Sequence, residues 1–357
     1  WALSRHEDVL TAFRNPSQLS NRFGVSLDPA AYGPDAHRAM SFLAMDPPDH
    51  TRMRSLVSKA FTPRRVAELE DGVRNLAIEH VDAAIERQSF DFVADFAGLM
   101  PMDVISEMIG VPRSDRAELR RLADLLMHRV EGFNDVPPEG VEAALAMAGY
   151  FDEMVRARRA RPAEDLTSAL LSADLGGDRL IDDEIISFLF LMVVAGNETT
   201  TKLLANAWYW GWRFPDQRAK VLADSGRIPD WVEETLRFDA SSQMLLRVTT
   251  GDVELHGTVL PDGQRVLLLV GSANRDPRCF SEPDRYDIGR DTSKLVSFGS
   301  GRHFCLGAAL ARLEGRVGLQ ELLKRIDHYE IDPAGAERVH SINVRGFARL
   351  PTTVSAS

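Results

Sequence analysis

One stretch of ten residues constrains this chain more than any other: Phe298-Gly299-Ser300-Gly301-Arg302-His303-Phe304-Cys305-Leu306-Gly307. A single cysteine is held in a glycine-rich loop, and Leu306, Leu310, Leu313 and Val317 then recur at helical spacing. The pattern predicts a helix that begins just beyond the sulfur. Its free N–H groups and the positive end of its dipole favour a thiolate over a thiol. Glycines at 299, 301 and 307 let the backbone turn sharply and approach a flat partner closely. An isolated Cys-x-Gly would more simply be a buried free thiol at a loop–helix junction.

Two distant segments weigh against that simpler reading. In Glu234-Thr235-Leu236-Arg237 the acid and the base are three residues apart, on one face of a helical segment running from Asp230 to Phe238. Alone, such a pair is a solvated contact worth little. The second segment, Ala195-Gly196-Asn197-Glu198-Thr199-Thr200, lies in a long helical pattern that opens at Asp182-Asp183-Glu184, where acids suit a helix N-terminus. Residues Ile185 to Gly196 are almost wholly apolar but too few to span a membrane, so they read as a buried core helix. A glycine, a glutamate and two threonines in its middle are poor choices for packing alone. A threonine bonding back to a preceding carbonyl would bend the helix there.

The spacing Phe, two residues, Gly, three residues, Cys, one residue, Gly resembles the haem-binding loop of the cytochrome P-450 family, in its bacterial form. The resemblance implies that Cys305 is the thiolate ligand of a haem b iron, a proximal ligand suited to dioxygen activation. Phe298, Gly299, His303 and Gly307 would then border the cofactor. It implies that Glu234 and Arg237 are buried and joined by Arg290, with Arg285 as rival, as a brace under the loop. Such a cluster tolerates burial only while every partner is present. Ala195 and Gly196 would leave room for dioxygen and substrate, Thr199 would hydrogen-bond bound oxygen, and Glu198 would relay protons. His50 and Arg54, four apart on one helical face, and Arg247 with His303 would hold the haem propionates. By family position, the substrate pocket would draw on the loop from Arg22 to Leu43 and the helices 114–130 and 139–161 with their joining loop. Val194, Met244, Leu245, Leu246, Asn343 and Val344 complete it. Most of these are apolar, which implies a lipophilic small molecule.

The implied reaction is monooxygenation: two electrons arrive from partner proteins and one oxygen atom of O2 enters an organic substrate. The alternatives are a haem-binding sensor or carrier without turnover, and a peroxygenase fed by peroxide. Residues Thr51 to Arg65 carry Arg52, Arg54, Lys59, Arg64 and Arg65 and no acid, and Arg302, Arg312 and Arg316 flank the cysteine loop. If the fold brings these together, they would steer an acidic ferredoxin to the proximal face.

Composition is consistent with this. With 42 basic and 53 acidic residues the net charge is −11, which disfavours nucleic-acid binding. There are two cysteines, Cys279 and Cys305. With Cys305 committed to iron, Cys279 is an unpaired thiol, as in a reducing cytoplasm. No hydrophobic run reaches membrane-spanning length. The chain opens at Trp1 without a methionine, so the natural start is expected to be missing. The predicted fold is mainly α: one domain over 1–357, with a large helical core around the haem and a small β-rich lobe. The clearest helices are 68–86, 114–130, 139–161, 182–211 and 308–326. Strands are expected at 246–260, 265–270 and 342–354.

Overall fold

The computed structural model describes residues 1–133 and 135–354. Its longer helices are α1 (His6–Arg14), α2 (Asp49–Val57), α3 (Glu70–Ile85), α4 (Met100–Ile109), α5 (Arg113–Met127), α6 (Pro138–Ala160), α7 (Leu166–Ser172), α8 (Asp182–Arg213), α9 (Pro215–Ala223), α10 (Ile228–Phe238) and α11 (Ala308–Leu323). The architecture is the helical core with a small strand lobe that the sequence implied.

Helix α8 is the axis. Its 32 residues rise ~48 Å. Asp182, Asp183 and Glu184 occupy the first turn, and the Ile181 N–H donates to Glu184 Oε2 at 3.0 Å, closing the helix start. The helix ends where Pro215 opens α9. Ile185, Phe188, Leu189 and Val193 are fully buried, and α4, α5, α6, α10 and α11 all pack on α8. The approach of α11 is close. A Cβ on Gly315 would stand 3.3–3.4 Å from Val232 and Leu203, and one on Gly318 would stand 3.1 Å from Leu204. The cysteine loop thus enters a helix clamped against both α8 and α10.

The strand lobe has its own core of Val9, Phe13, Leu19, Val253, Leu260, Val266 and Leu268. Its main sheet runs Ala2–Leu3, Arg265–Leu268, Leu245–Thr249, Leu19–Ser20. The first pairing is parallel and the others antiparallel. A three-stranded sheet orders Tyr329–Ile331, Pro351–Val354 and Ser89–Asp91.

Several boundaries differ from expectation. Helix α5 stops at Met127 rather than 130, because His128 turns extended. The expected strand 246–260 divides into Leu245–Thr249, Val253–Leu255 and Thr258–Leu260, with Gly251 and Gly257 at positive φ between them. The strand from Arg265 ends at Leu268, since Val270 begins a helical turn. Over 342–354 only Phe347–Arg349 and Pro351–Val354 are strands, with an isolated bridge from Val344 to Ser242.

Candidate active site

The cysteine loop rests on α1. Gly299 and Gly301 adopt φ of +67° and +72°. A Cβ on Gly301 would meet the Phe13 carbonyl oxygen at 3.0 Å, and Arg14 Nε donates to Ser300 Oγ at 3.0 Å. The Cys305 N–H closes the loop on the Phe298 carbonyl at 2.9 Å. Gly307 departs from the expected role. Its φ is −84°, so no unusual turn is needed, but a Cβ there would meet nothing within 4 Å. Its missing side chain therefore relieves no clash with the rest of the protein. Cys305 itself keeps accessible surface. Burial pushes its thiol up, against the Gly307 N–H and the charges of Arg54 and Arg312. In the protein alone the helix start does not outweigh desolvation; a bound cation would.

His50 and His303 pack against each other, ring centroids 4.0 Å apart. Both nitrogens of both rings are buried without a partner, as is Arg54 Nη1. His50 is lowered to about 4, first by burial and then by the charges of Arg54 and Arg302. His303 is lowered to about 2 by burial, His50, Arg247 and Arg54. Arg54 Nη2 donates to the Phe304 carbonyl at 2.6 Å. Arg247 is buried, and burial lowers it to about 10. Its Nη1 donates to the adjacent Leu246 carbonyl at 2.7 Å. Buried donors without acceptors are costly, and here they converge beside a cysteine. Two carboxylates of a flat cofactor would satisfy them, so these residues fit a haem.

In the middle of α8, Thr199 Oγ1 donates back to the Ala195 carbonyl at 2.7 Å. Ala195 is exposed in the middle of an otherwise buried helix, and Val194 is half-buried. Gly196 corrects the expectation. A Cβ on it would stand 3.0 Å from Ile105, so its lack of a side chain admits α4 rather than a ligand. Glu198 is not free: Lys202 Nζ lies 3.1 Å from its Oε1, and both side chains are largely buried. Sequence reading missed Lys202, although its i,i+4 spacing to Glu198 is a recognisable signal.

The brace is two-pronged. Arg237 Nε and Nη2 donate to Glu234 Oε2 and Oε1, both at 2.7 Å, with both side chains fully buried. Arg290 Nε lies 3.5 Å from Glu234 Oε1, whereas Arg285 turns outward to Glu282. The Asp287 N–H adds a bond to Glu234 at 2.9 Å. Arg237 Nη1 also donates to the Asn274 carbonyl at 3.1 Å. The Asn274 side chain in turn accepts from the Val296 N–H and donates to Ser297 Oγ. The residues entering the cysteine loop are therefore tied to the Glu234–Arg237 pair through Asn274, which sequence reading missed.

Of the pocket candidates, Met244 and Leu245 are half-buried, but Leu246 is fully buried in the sheet, its N–H on the Val25 carbonyl at 2.8 Å. Asn343 Nδ2 donates to Ser26 Oγ at 2.7 Å, and Val344 bridges to Ser242. A separate cleft of about 1200 Å³ between α2, α3 and α7 brings none of the candidate catalytic residues together. The basic surface is weaker than its residue count implied. Arg52 turns to Asp178 and Glu184, Arg312 pairs with Glu233, and Arg316 pairs with Glu70.

Comparison with known proteins decides the family. The chain is 59% identical, over all 357 residues and 89% of the relative's length, to cytochrome P450 123 of Mycobacterium tuberculosis. The chain belongs to the cytochrome P450 family. The family model for cytochrome P450 matches residues 228–354. The vitamin D(3) 25-hydroxylase of Pseudonocardia autotrophica is 38% identical over 99% of this chain and 88% of its own length. The structure of cytochrome P450 CYP109Q5 from Chondromyces apiculatus matches with a TM-score of 0.90 at 36% identity, covering 100% of this chain and 90% of that one. The chain is thus a cytochrome P450 monooxygenase, of a family that carries haem iron and whose members act on small molecules and need redox partners. No helix among the described residues is long and apolar enough to cross a membrane.

Proposed function

We propose that the chain inserts one oxygen atom of O2 into a lipophilic small molecule in the cytoplasm, using haem b and electrons from a ferredoxin-type donor. The observation that carries the cofactor assignment is the set of unpaired nitrogens on His50, His303 and Arg54 beside Cys305. Cys305 would ligate the iron, while His50, Arg54, Arg247 and His303 would take the propionates. When bound, the haem supplies cleavage of O2, one atom going to substrate and the other to water, with two electrons and two protons consumed. Thr199 and Glu198 are the chain's own groups for handling those protons. Thr200 and Thr201 are buried, and Thr201 Oγ1 lies on Asn197 at 3.4 Å. Thr199, one turn from exposed Ala195, is the threonine with access. The half-buried Met244, Leu245 and Val194, and a relative named for a lipophilic vitamin, support the substrate class.

The reduced carbon monoxide adduct should show the red-shifted Soret band of a thiolate haem. Cys305→Ser should lose that band and Cys279→Ser should keep it; the reverse would overturn the assignment. With ferredoxin, reductase and NADPH, Thr199→Ala should bind substrate normally yet divert electrons to hydrogen peroxide. Unchanged product per NADPH in Thr199→Ala, with uncoupling in Thr200→Ala, would move the helix register by one residue.

A further inference from the structure

Lys202 on α8 is 4% exposed, and taking an ammonium out of water is expensive unless it is paired. An exposed Glu–Lys pair four residues apart would serve helix stability and need no further account. A buried one costs more desolvation than local helix stability offsets. Its place on the helix is specific. Ala195, Glu198, Thr199 and Lys202 follow the i, i+3, i+4, i+7 spacing of a single helical face. Ala195 is exposed at one end of that stripe, Glu198 and Thr199 are half-buried, and Lys202 closes it at the other end. Lys202 Nζ lies 3.1 Å from Glu198 Oε1.

The fold is built to hold the amine there. A Cβ on Gly346, in the C-terminal segment, would stand 2.5–2.7 Å from Cβ, Cγ and Cδ of Lys202, so only glycine leaves room for the stem. The residue before it is fixed from three sides. The Arg345 N–H donates to the Ser241 carbonyl at 2.8 Å, its Nε donates to Asp239 Oδ1 at 2.7 Å, and its carbonyl accepts from Asn206 Nδ2 at 3.2 Å. Asn206 lies one turn after Lys202 on α8, so the C-terminal segment is pinned to the helix beside the lysine stem.

We infer that Lys202 is a positioning residue for the Glu198 carboxylate, and that Gly346 fixes Lys202 in that place. Lys202 engages Oε1 and keeps the carboxylate on the helical face it shares with Thr199, so proton exchange falls to Oε2. Oε2 takes a proton from solvent and passes it on beside Thr199. Glu198 then returns to the carboxylate, with no net change in the charge of the pair. Lys202 itself gives up no proton. The inference rests on the proposed role of Glu198 in handling protons.

The test asks whether Lys202 acts through Glu198. It uses haem-loaded protein with ferredoxin, reductase and NADPH, and progesterone as the lipophilic probe. The readout is hydrogen peroxide released per O2 consumed, which needs no product identity. Lys202→Met should raise it severalfold. Lys202→Arg, which keeps the three stem carbons and the charge, should return it toward the parent value. In the Glu198→Gln background, Lys202→Met should add nothing. An equal rise in both backgrounds would overturn the inference, because a merely structural lysine would act in either. Gly346→Ala alters neither charge and should raise peroxide only where Glu198 is present, so it carries the same comparison if Lys202→Met does not fold. Thermal unfolding gives a second readout that does not depend on turnover. Lys202→Met and Glu198→Gln each strand one charge, so the double variant should lose less in melting temperature than the two single losses added together. Additive losses would mean that the two side chains do not interact, and would remove Lys202 from its positioning role. If the losses are non-additive while Glu198→Gln leaves peroxide unchanged, the proton role of Glu198 is what fails, and the role of Lys202 fails with it.

Discussion

At the scale of single residues, the site is defined by what its side chains lack. His50 is 2% exposed with neither ring nitrogen bonded. Its folded value of about 4 lies below the ordinary 6.5. In haem-stripped protein the unfolded chain therefore takes up a proton near pH 6.5 while the folded chain resists until near 4. Stability is complete above pH 6.5 and declines as the pH falls toward 4, by up to about 3 kcal/mol from this residue. His50→Phe, which keeps a ring against His303, should flatten that part of the profile in urea melts at pH 7.5 and 5. It should also weaken haem retention. An equal acid loss in His50→Phe would mean another group carries it. The residues most legible in the sequence were those with short-range spacing: Cys305 in its loop, and Glu234 three before Arg237. Gly196 was misjudged because a sequence does not say which face of a helix a glycine presents. Here it presents to Ile105.

At the scale of elements, the start and stop of the long helix α8 followed local chemistry, and the tertiary ties did not. The acids opening α8 and the proline ending it are written in the chain. That Arg237 on α10 would reach Asn274, and that Asn274 would hold Val296 and Ser297, is not: these partners are 22 to 37 residues apart. The tie explains why a helix distant in sequence governs the cysteine loop. Glu234→Ala or Arg237→Ala strands a fully buried charge, at a cost of about 3–5 kcal/mol. Both should give little haem-loaded protein, and normal haem content in either would show the loop to be independent of the pair. A milder test lies at Gly346. Gly346→Ala places a methyl into the Lys202 stem, so it should cost about 1–3 kcal/mol in thermal unfolding. Truncating the stem with Lys202→Ala should relieve that clash. A double variant no more stable than expected from adding the two single effects would show that the two residues do not meet.

At the scale of the whole molecule, one polar chain joins three segments remote in sequence. Asn343 Nδ2 donates to Ser26 Oγ at 2.7 Å, and Ser26 Oγ donates to Asp28 Oδ2 at 2.7 Å. Arg129, just beyond α5, donates to both Asp28 oxygens at 3.0 and 3.2 Å. The Ala30 N–H adds a bond to Asp135 at 2.9 Å. Asp28 and Arg129 are both largely buried, so water weakens this contact less than it would a surface pair. Nothing in the sequence points to it, because Ser26 and Asn343 are 317 residues apart. The chain joins the loop between Leu19–Ser20 and α2, the link between α5 and α6, and the C-terminal segment. Parting the Ser26–Asp28 loop from the link that follows α5 requires breaking the Asp28–Arg129 pair. Arg129→Met removes the cation and leaves Asp28 with Ser26 alone, which favours the open arrangement. Association and dissociation of a lipophilic azole, followed by stopped-flow absorbance of the haem, should both accelerate severalfold, with the equilibrium constant little changed. Asp28→Asn in the Arg129→Met background removes the stranded carboxylate, so it should restore thermal stability while leaving exchange fast. Exchange rates equal to the parent in both variants would mean that ligands enter elsewhere and that this contact only joins loops.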